Sequence, residues 1–284
     1  MSFLLHIISM ICITIPLSLA YTFLFGRGKI FHFGPIGVGL VCAYASFLTL
    51  NATGSFLFAI LAGIVAGTLC GALFAWLSFR LEADGLGILS LAIHLMFLNI
   101  ILNWQSLTRG ALGLPRLPRL PFLETHGGFA LGISIIALAW IVFFVWLDRT
   151  RLARQMSAIA EQEWHAMSLG ISRTRAHLLA FLILGLALAN DNFFYPQYLH
   201  LLYPTDYGFP GFITLMMIVV AGKPGSIPGA VIATILLTTL KEALRFVPLT
   251  PDLLGPMRLL LFGVILLAAV WYRRDTLFPK KRTI

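Results

Sequence analysis

Charge is what this chain has least of. Only 11% of its 284 residues are Asp, Glu, Lys or Arg, against 59% hydrophobic ones. That proportion excludes a soluble globule, which needs polar side chains to cover its surface. Cysteine is scarce as well: Cys12, Cys42 and Cys70 lie inside apolar stretches, with no CxxC pair and no histidine at ligand spacing. Neither a disulfide framework nor a metal site is indicated, and packing is the expected role of all three. No G-x-x-x-x-G-K-[ST] occurs, so the chain is expected to hold no ATP or other cofactor of its own, and GKPGSIPG (222–229) lacks the phosphate-cradling spacing. The first apolar run, MSFLLHIISMICITIPLSLAYTFLF, has no basic segment before it, and its length suits a retained span better than the core of a cleaved signal. The net charge of +9 is read as topology, an excess of Lys and Arg on cytoplasmic loops, and not as a nucleic-acid footprint.

What the chain does have is long apolar runs, such as FALGISIIALAWIVFFVWL (129–147). A hydrocarbon core of ~30 Å takes about 20 helical residues per crossing. The expected fold is therefore an all-α polytopic membrane protein, one transmembrane domain over 1–284, with roughly nine hydrophobic segments. These are 3–25, 31–50, 55–79, 87–103, 129–147, 177–199, 210–221, 227–246 and 256–272. The seventh, 12 residues long, covers only ~18 Å and reads as tilted, broken or re-entrant. With the polar loop 148–176 in the cytoplasm, 14 of the 20 Lys and Arg lie inside and six lie outside or near outer helix ends. That split puts the N-terminus outside, with the arginines of LPRLPRLP (114–121) in dissent.

Inside the polar loop, Leu152, Met156, Ile159, Glu163 and Ala166 recur at spacings of three and four and share one helical face. Gly170 offers a left-handed stop, and Ser172 or Thr174 can cap the next helix, so the expectation is helix, glycine turn, helix. Two uses fit such an element equally: lying on the lipid surface, or docking into a groove of another protein.

Four blocks, in order, carry a resemblance: LEADGLGILSLAIHLMFLNIILNWQSLTRGALGLP (81–115), RLARQMSAIAEQEWHAMSLGISRTRAHLLAF (151–181), YGFPGFITLMMIVVAGKPGSIPGAVI (207–232) and MRLLLFGVILLAAVWYRRDTLFP (257–279). The chain resembles the permeases of branched-chain amino acid (Liv-type) ABC transporters, in the M-type branch. The most specific pieces are Asn103 to Thr108, of NW-SLT form, and Ala158 to Ile171, of the form A-I-x-E-x-E-x-x-A-x-x-L-G-I. The resemblance implies a permease subunit of the bacterial inner membrane that works in the lipid bilayer. Its implied partners are a second related permease, two cytoplasmic ATPase subunits and an external solute-binding protein. It also implies that the 148–176 loop is the coupling element. Glu163, Ala166, Leu169 and Gly170 match the family pattern, with Glu161, Trp164 and His165 beside them, and protein docking is thereby preferred to the lipid surface.

The chain departs from the family in its fourth segment, where Leu95 and Leu98 replace an acidic and a basic residue. Ser90, His94, Asn99 and Asn103 remain as that segment's candidate pathway residues. Asp191 is a further pathway candidate, although Asn190-Asp191-Asn192 followed by Pro196 reads as an interruption of the sixth segment. His94 is read chiefly as interhelical glue. Gly63, Gly67 and Gly71 form a double GxxxG for close helix approach, within the subunit or across a permease pair. Gly222, Gly225 and Gly229 are read as a tight interhelical turn. The function expected is import of branched-chain amino acids or a related small polar metabolite. The alternatives are an ion-driven secondary transporter and, with less support, an intramembrane enzyme using His94 and Asp191.

Overall fold

A computed structural model describes residues 2–243 and positions 257, 260, 261, 263–265, 267, 268, 270 and 271. Eleven α-helices are described over residues 2–243: α1 (Ser2–Gly28), α2 (Gly34–Thr53), α3 (Phe56–Arg80), α4 (Ala83–Asn103), α5 (Gln105–Thr108), α6 (His126–Asp148), α7 (Arg151–Glu161), α8 (Glu163–Ser168), α9 (Arg173–Leu199), α10 (Phe209–Ala221) and α11 (Ile227–Ala243). Two short antiparallel strands, β1 (Leu114–Pro115) and β2 (Leu201–Leu202), pair Leu114 with Leu202. Among the described residues, six helices are long and apolar enough to cross a membrane: α1, α2, α3, α4, α6 and α9. They coincide with the first six expected segments. The seventh is the 13-residue α10 and the eighth the 17-residue α11, whereas seven positions of the ninth, 256–272, lie outside the described residues.

Helix boundaries follow local chemistry. Pro35 opens α2, where a missing N–H costs nothing, and Gly54 closes it in the left-handed region, its N–H on the Leu50 carbonyl at 2.8 Å. The Thr125 side chain caps α6 by accepting from Gly128 N, and Ser172 does the same for α9 from Arg175 N.

At the centre α3 lies against α9 and α2. Apolar side chains alone do not drive helices together in lipid, so close approach of small residues carries the packing. A Cβ on Gly63 would strike Ser46 of α2; one on Gly67 would strike the Gly185 carbonyl of α9, and one on Gly71 the Phe181 carbonyl. Gly185 is equally barred by the Gly67 carbonyl. The glycine stripe of α3 is thus used within the subunit, against α2 and α9.

Contacts define two ends of the bundle. At one, Arg27 of α1 holds Asp148 of α6 at 2.6 Å, and the turn between α10 and α11 lies on Gly26, whose Cβ would overlap Gly225. Lys29, Arg149 and Lys223 line the same region. This is the basic end. At the opposite end, Arg119 donates to the carbonyls of Gln197 (3.2 Å), Tyr198 (2.9 Å) and Glu124 (3.2 Å), with its guanidinium over the rings of Phe129 and Tyr198. His6 joins Tyr198 (2.7 Å) to Glu242 (3.1 Å) there as well. Helices α10 and α11 therefore form a hairpin whose tip reaches the basic end. At ~20 Å, α10 is too short to reach back to the other. The remaining depth is made by the segment after α9, including a 3-10 turn at Pro204–Tyr207, which brings Phe209 and Phe212 down to Phe33 at the start of α2. Irregular backbone at such depth has to be covered by protein, and Leu202, Pro204 and Tyr207 are all buried.

The expected interruption at Asn190-Asp191-Asn192 is corrected: α9 runs unbroken through them to Leu199. Asn192 turns its amide back onto the Leu188 carbonyl at 2.7 Å and fills the space left by Gly39. Pro196 falls in the last turn, where losing one intrahelical bond is tolerated. His200, in the left-handed region, then ends the helix, and its N–H donates to Pro196 O.

Candidate docking site at the basic end

The expected single helix over the polar loop is also corrected. Gln162 is extended (φ −150°, ψ 97°) and divides it into α7 and α8. The apolar side of α7 is spent on the bundle: Ala153, Met156 and Ile159 are buried and Leu152 partly so, against α1, α6 and α9. The break lets α8 turn independently of that contact. On α8, Ala166 is 2% exposed and faces inward, whereas Trp164 is 84% and Leu169, just past its end, 81% exposed, with Met167, His165 and Glu161 also open.

Two anchors hold α8 in place. Arg173, at the start of α9, donates to Glu163 Oε1 (2.7 Å) with one Nη and to the Ser78 carbonyl at the end of α3 (2.5 Å) with the other. One guanidinium therefore ties α8 to two membrane helices. At the other side, the Gly170 N–H bonds to Met167 O (2.9 Å) and the Ile171 N–H to Ala166 O (3.1 Å). This is the paired closure of a Schellman motif, and it requires the left-handed residue that Gly170 supplies at φ +80°. A Cβ there would meet nothing within 4 Å, so the demand for glycine is conformational and not spatial. His165 bonds to the Gln162 side chain across the break.

Of the residues singled out in this loop, Glu163 and Ala166 serve to brace α8, Gly170 to end it, and Trp164 and Leu169 to present apolar surface outward. Arg173 was not a candidate, since ten residues separate it from Glu163 and nothing in the local pattern distinguishes it from other loop arginines.

The remaining candidates scatter. Ser90 is buried and fully engaged, donating to Gly87 O and accepting from Phe33 N, both at 2.8 Å. His94 is buried beside Gly37, with neither ring nitrogen hydrogen-bonded among the described residues. Asn99 and Asn103 lie on the exposed face of α4, each bonded to the carbonyl four residues back. Asp191 lines a cavity between α1, α2, α9, α10 and α11, and is thus separate from the α4 set. Gly222 and Gly229 abut one another, and Gly225 (φ +80°) rests on Gly26.

A bundle of six helices long and apolar enough to cross a membrane defines a multi-pass membrane protein, and it presents a braced, apolar-tipped helix beyond its basic end. Comparison with known sequences supplies the family: the profile described as branched-chain amino acid transport system / permease component matches residues 3–270, and the chain belongs to that family. It is similar to the high-affinity branched-chain amino acid transport system permease protein LivM of Escherichia coli K12, at 25% identity over 94% of this chain and 73% of that one. It is also similar to LivM of Salmonella typhimurium (26%, 78% of this chain) and to LivH of E. coli K12 (26%, 78% of each chain). The matched region spans 57% of the Salmonella protein. Similarity extends to both M- and H-type permeases. No solved structure matches the chain.

Proposed function

We propose that this chain is one permease subunit of an ABC importer for branched-chain amino acids or a related small polar metabolite, working in a bacterial inner membrane with its basic end in the cytoplasm. In this reading a second permease completes the pathway, two ATPase subunits bind at the basic end, and an external solute-binding protein delivers the cargo. ATP is bound by those partners.

The observation that carries the reading is α8. Trp164 and Leu169 stand open on and just past α8, the kind of aromatic and aliphatic anchors that a partner groove takes up, and the Arg173 bridge would carry a push on α8 directly into α3 and α9. Closure of an ATPase dimer around Trp164 and Leu169 would then shift the membrane helices as rigid bodies. The burial of Arg119 on the last carbonyls of α9 fits the proposed orientation. An arginine held there serves as a helix C-terminal cap, which accounts for one of the basic residues on the side expected to be outside.

The test is uptake into proteoliposomes that contain this chain, the sister permease and the ATPase, with the binding protein added outside the imported face. Uptake should require ATP and all four components. Uptake by this chain alone, driven by an ion gradient, would show a secondary transporter instead.

A further inference from the structure

The cavity beside Asp191 holds about 160 Å³, is open on one side, and is lined by elements of this one subunit. Its polar lining comes from five elements: Thr14 of α1, Asp191, Asn192 and Tyr195 of α9, Asp206 and Tyr207 of the 3-10 turn, Thr214 of α10 and Lys241 of α11. These groups do not cancel in charge. Among the described residues, two carboxylates and one ammonium line the space, a formal −1, and no histidine does.

Nor do they satisfy one another by hydrogen bonding. Among the described residues Asp191 has no hydrogen bond or ion pair, whereas Thr14 and Thr214 are turned onto Met10 O and Pro210 O and keep their oxygen lone pairs for another partner. Tyr207 is 5% exposed and its hydroxyl is without a partner. Asp206 is exposed and Lys241 partly so, whereas Asp191 is the carboxylate carried within α9. Asp191 is a half-buried carboxylate on a membrane helix, and a charged group at such a place is costly unless something answers it.

We propose that this cavity is a monovalent cation site, with Asp191 as the counter-charge and the oxygens of Tyr207, Thr14 and Thr214 as neutral ligands. One uncompensated charge and hard oxygen donors match Na⁺ or K⁺. A divalent ion would call for more carboxylates than the single one left over. The ion would bind where α1, α9, α10 and α11 converge, and so would hold the short α10 to the bundle. This site does not depend on the proposed import function, because it lies within one subunit and away from α8.

The test uses the full-length chain in detergent, in choline chloride replaced stepwise by NaCl, KCl or NH₄Cl at constant ionic strength. Thermal unfolding should rise by about 3–5 °C at a tenfold excess of the bound ion over its Kd, and choline, whose charge is shielded by methyl groups from direct oxygen ligation, should give no rise. Asp191→Asn should abolish the ion dependence and Tyr207→Phe should weaken it. If the wild-type chain unfolds at the same temperature in all four salts, the proposal fails whatever the variants do. Equal ion dependence in Asp191→Asn would also overturn it. So would stabilisation by a branched-chain amino acid in choline alone, with no effect of alkali cations, since the cavity would then be a cargo site.

Discussion

Replacing Trp164 by alanine removes the largest side chain that the structure leaves uncovered at the basic end, and the consequence can be sized. At 84% exposure the indole makes almost no contact within the chain, so its loss should alter stability by no more than about 0.5 kcal/mol, as for other surface substitutions. Docked in a groove, the same side chain would bury about 150–250 Å², worth roughly 4–6 kcal/mol at ~25 cal/mol per Å² before the costs of association. Aromatic anchors truncated in measured interfaces lose about 2–4 kcal/mol, which is about a 30- to 700-fold weaker Kd. Leu169→Ala, with less area, should cost about 1–2 kcal/mol, or roughly 5- to 30-fold. The assay is titration of the ATPase subunit onto the permease in nanodiscs, read beside thermal unfolding of the permease alone. The expected pattern is a large change in Kd with an unchanged unfolding temperature. Binding within twofold of wild type for both variants, with ATP-driven uptake intact, would refute the assignment of α8 as the docking element.

Four further outcomes follow from the same geometry. Glu163→Arg should free α8 by breaking its bond to Arg173 and lower ATP-coupled uptake, and the charge swap Glu163→Arg with Arg173→Glu should recover part of it; no recovery would mean that the pair does not transmit the motion. Gly170→Ala should cost about 1 kcal/mol through its left-handed backbone, and Gly170→Pro more, because the N–H given to Met167 is lost as well; uptake assays with matched expression read both. Gly67→Leu should overpack α3 against the Gly185 carbonyl and destabilise the chain by about 1–3 kcal/mol, whereas Gly127→Ala, with nothing within 4 Å, should leave the unfolding temperature unchanged. Arg119→Met should uncap α9 and loosen the 109–125 connection, visible as faster limited proteolysis from the side opposite the basic end, and unchanged cleavage would deny the capping role.

The membrane class was legible from composition, and the first six crossings were legible from hydropathy, because a bilayer imposes a length and an apolarity that no packing detail can waive. The family was legible in the blocks around Asn103–Thr108 and Ala158–Ile171. The glycine stop at Gly170 was legible too, since a helix end is a local event that one residue's conformational freedom decides. The break at Gln162 was not: nothing about Gln forbids a helix, and the extended conformation is imposed by docking α7 on the bundle while Arg173 holds α8. The unbroken course of α9 through Asn190-Asp191-Asn192 was hidden for the same reason, since Asn192 fits the space left by Gly39 and Asp191 opens onto a cavity, both set by the fold.

By itself, then, the sequence determined the solvent this protein lives in, the number of early crossings and the family, because those rest on composition and short-range order. Only the tertiary structure decided which glycines meet which helix, which loop arginine braces α8, that Trp164 and Leu169 face outward while Ala166 faces inward, and that Asp191 opens onto a cavity. Those are relations between residues tens to hundreds of positions apart, fixed by close packing that no local pattern encodes.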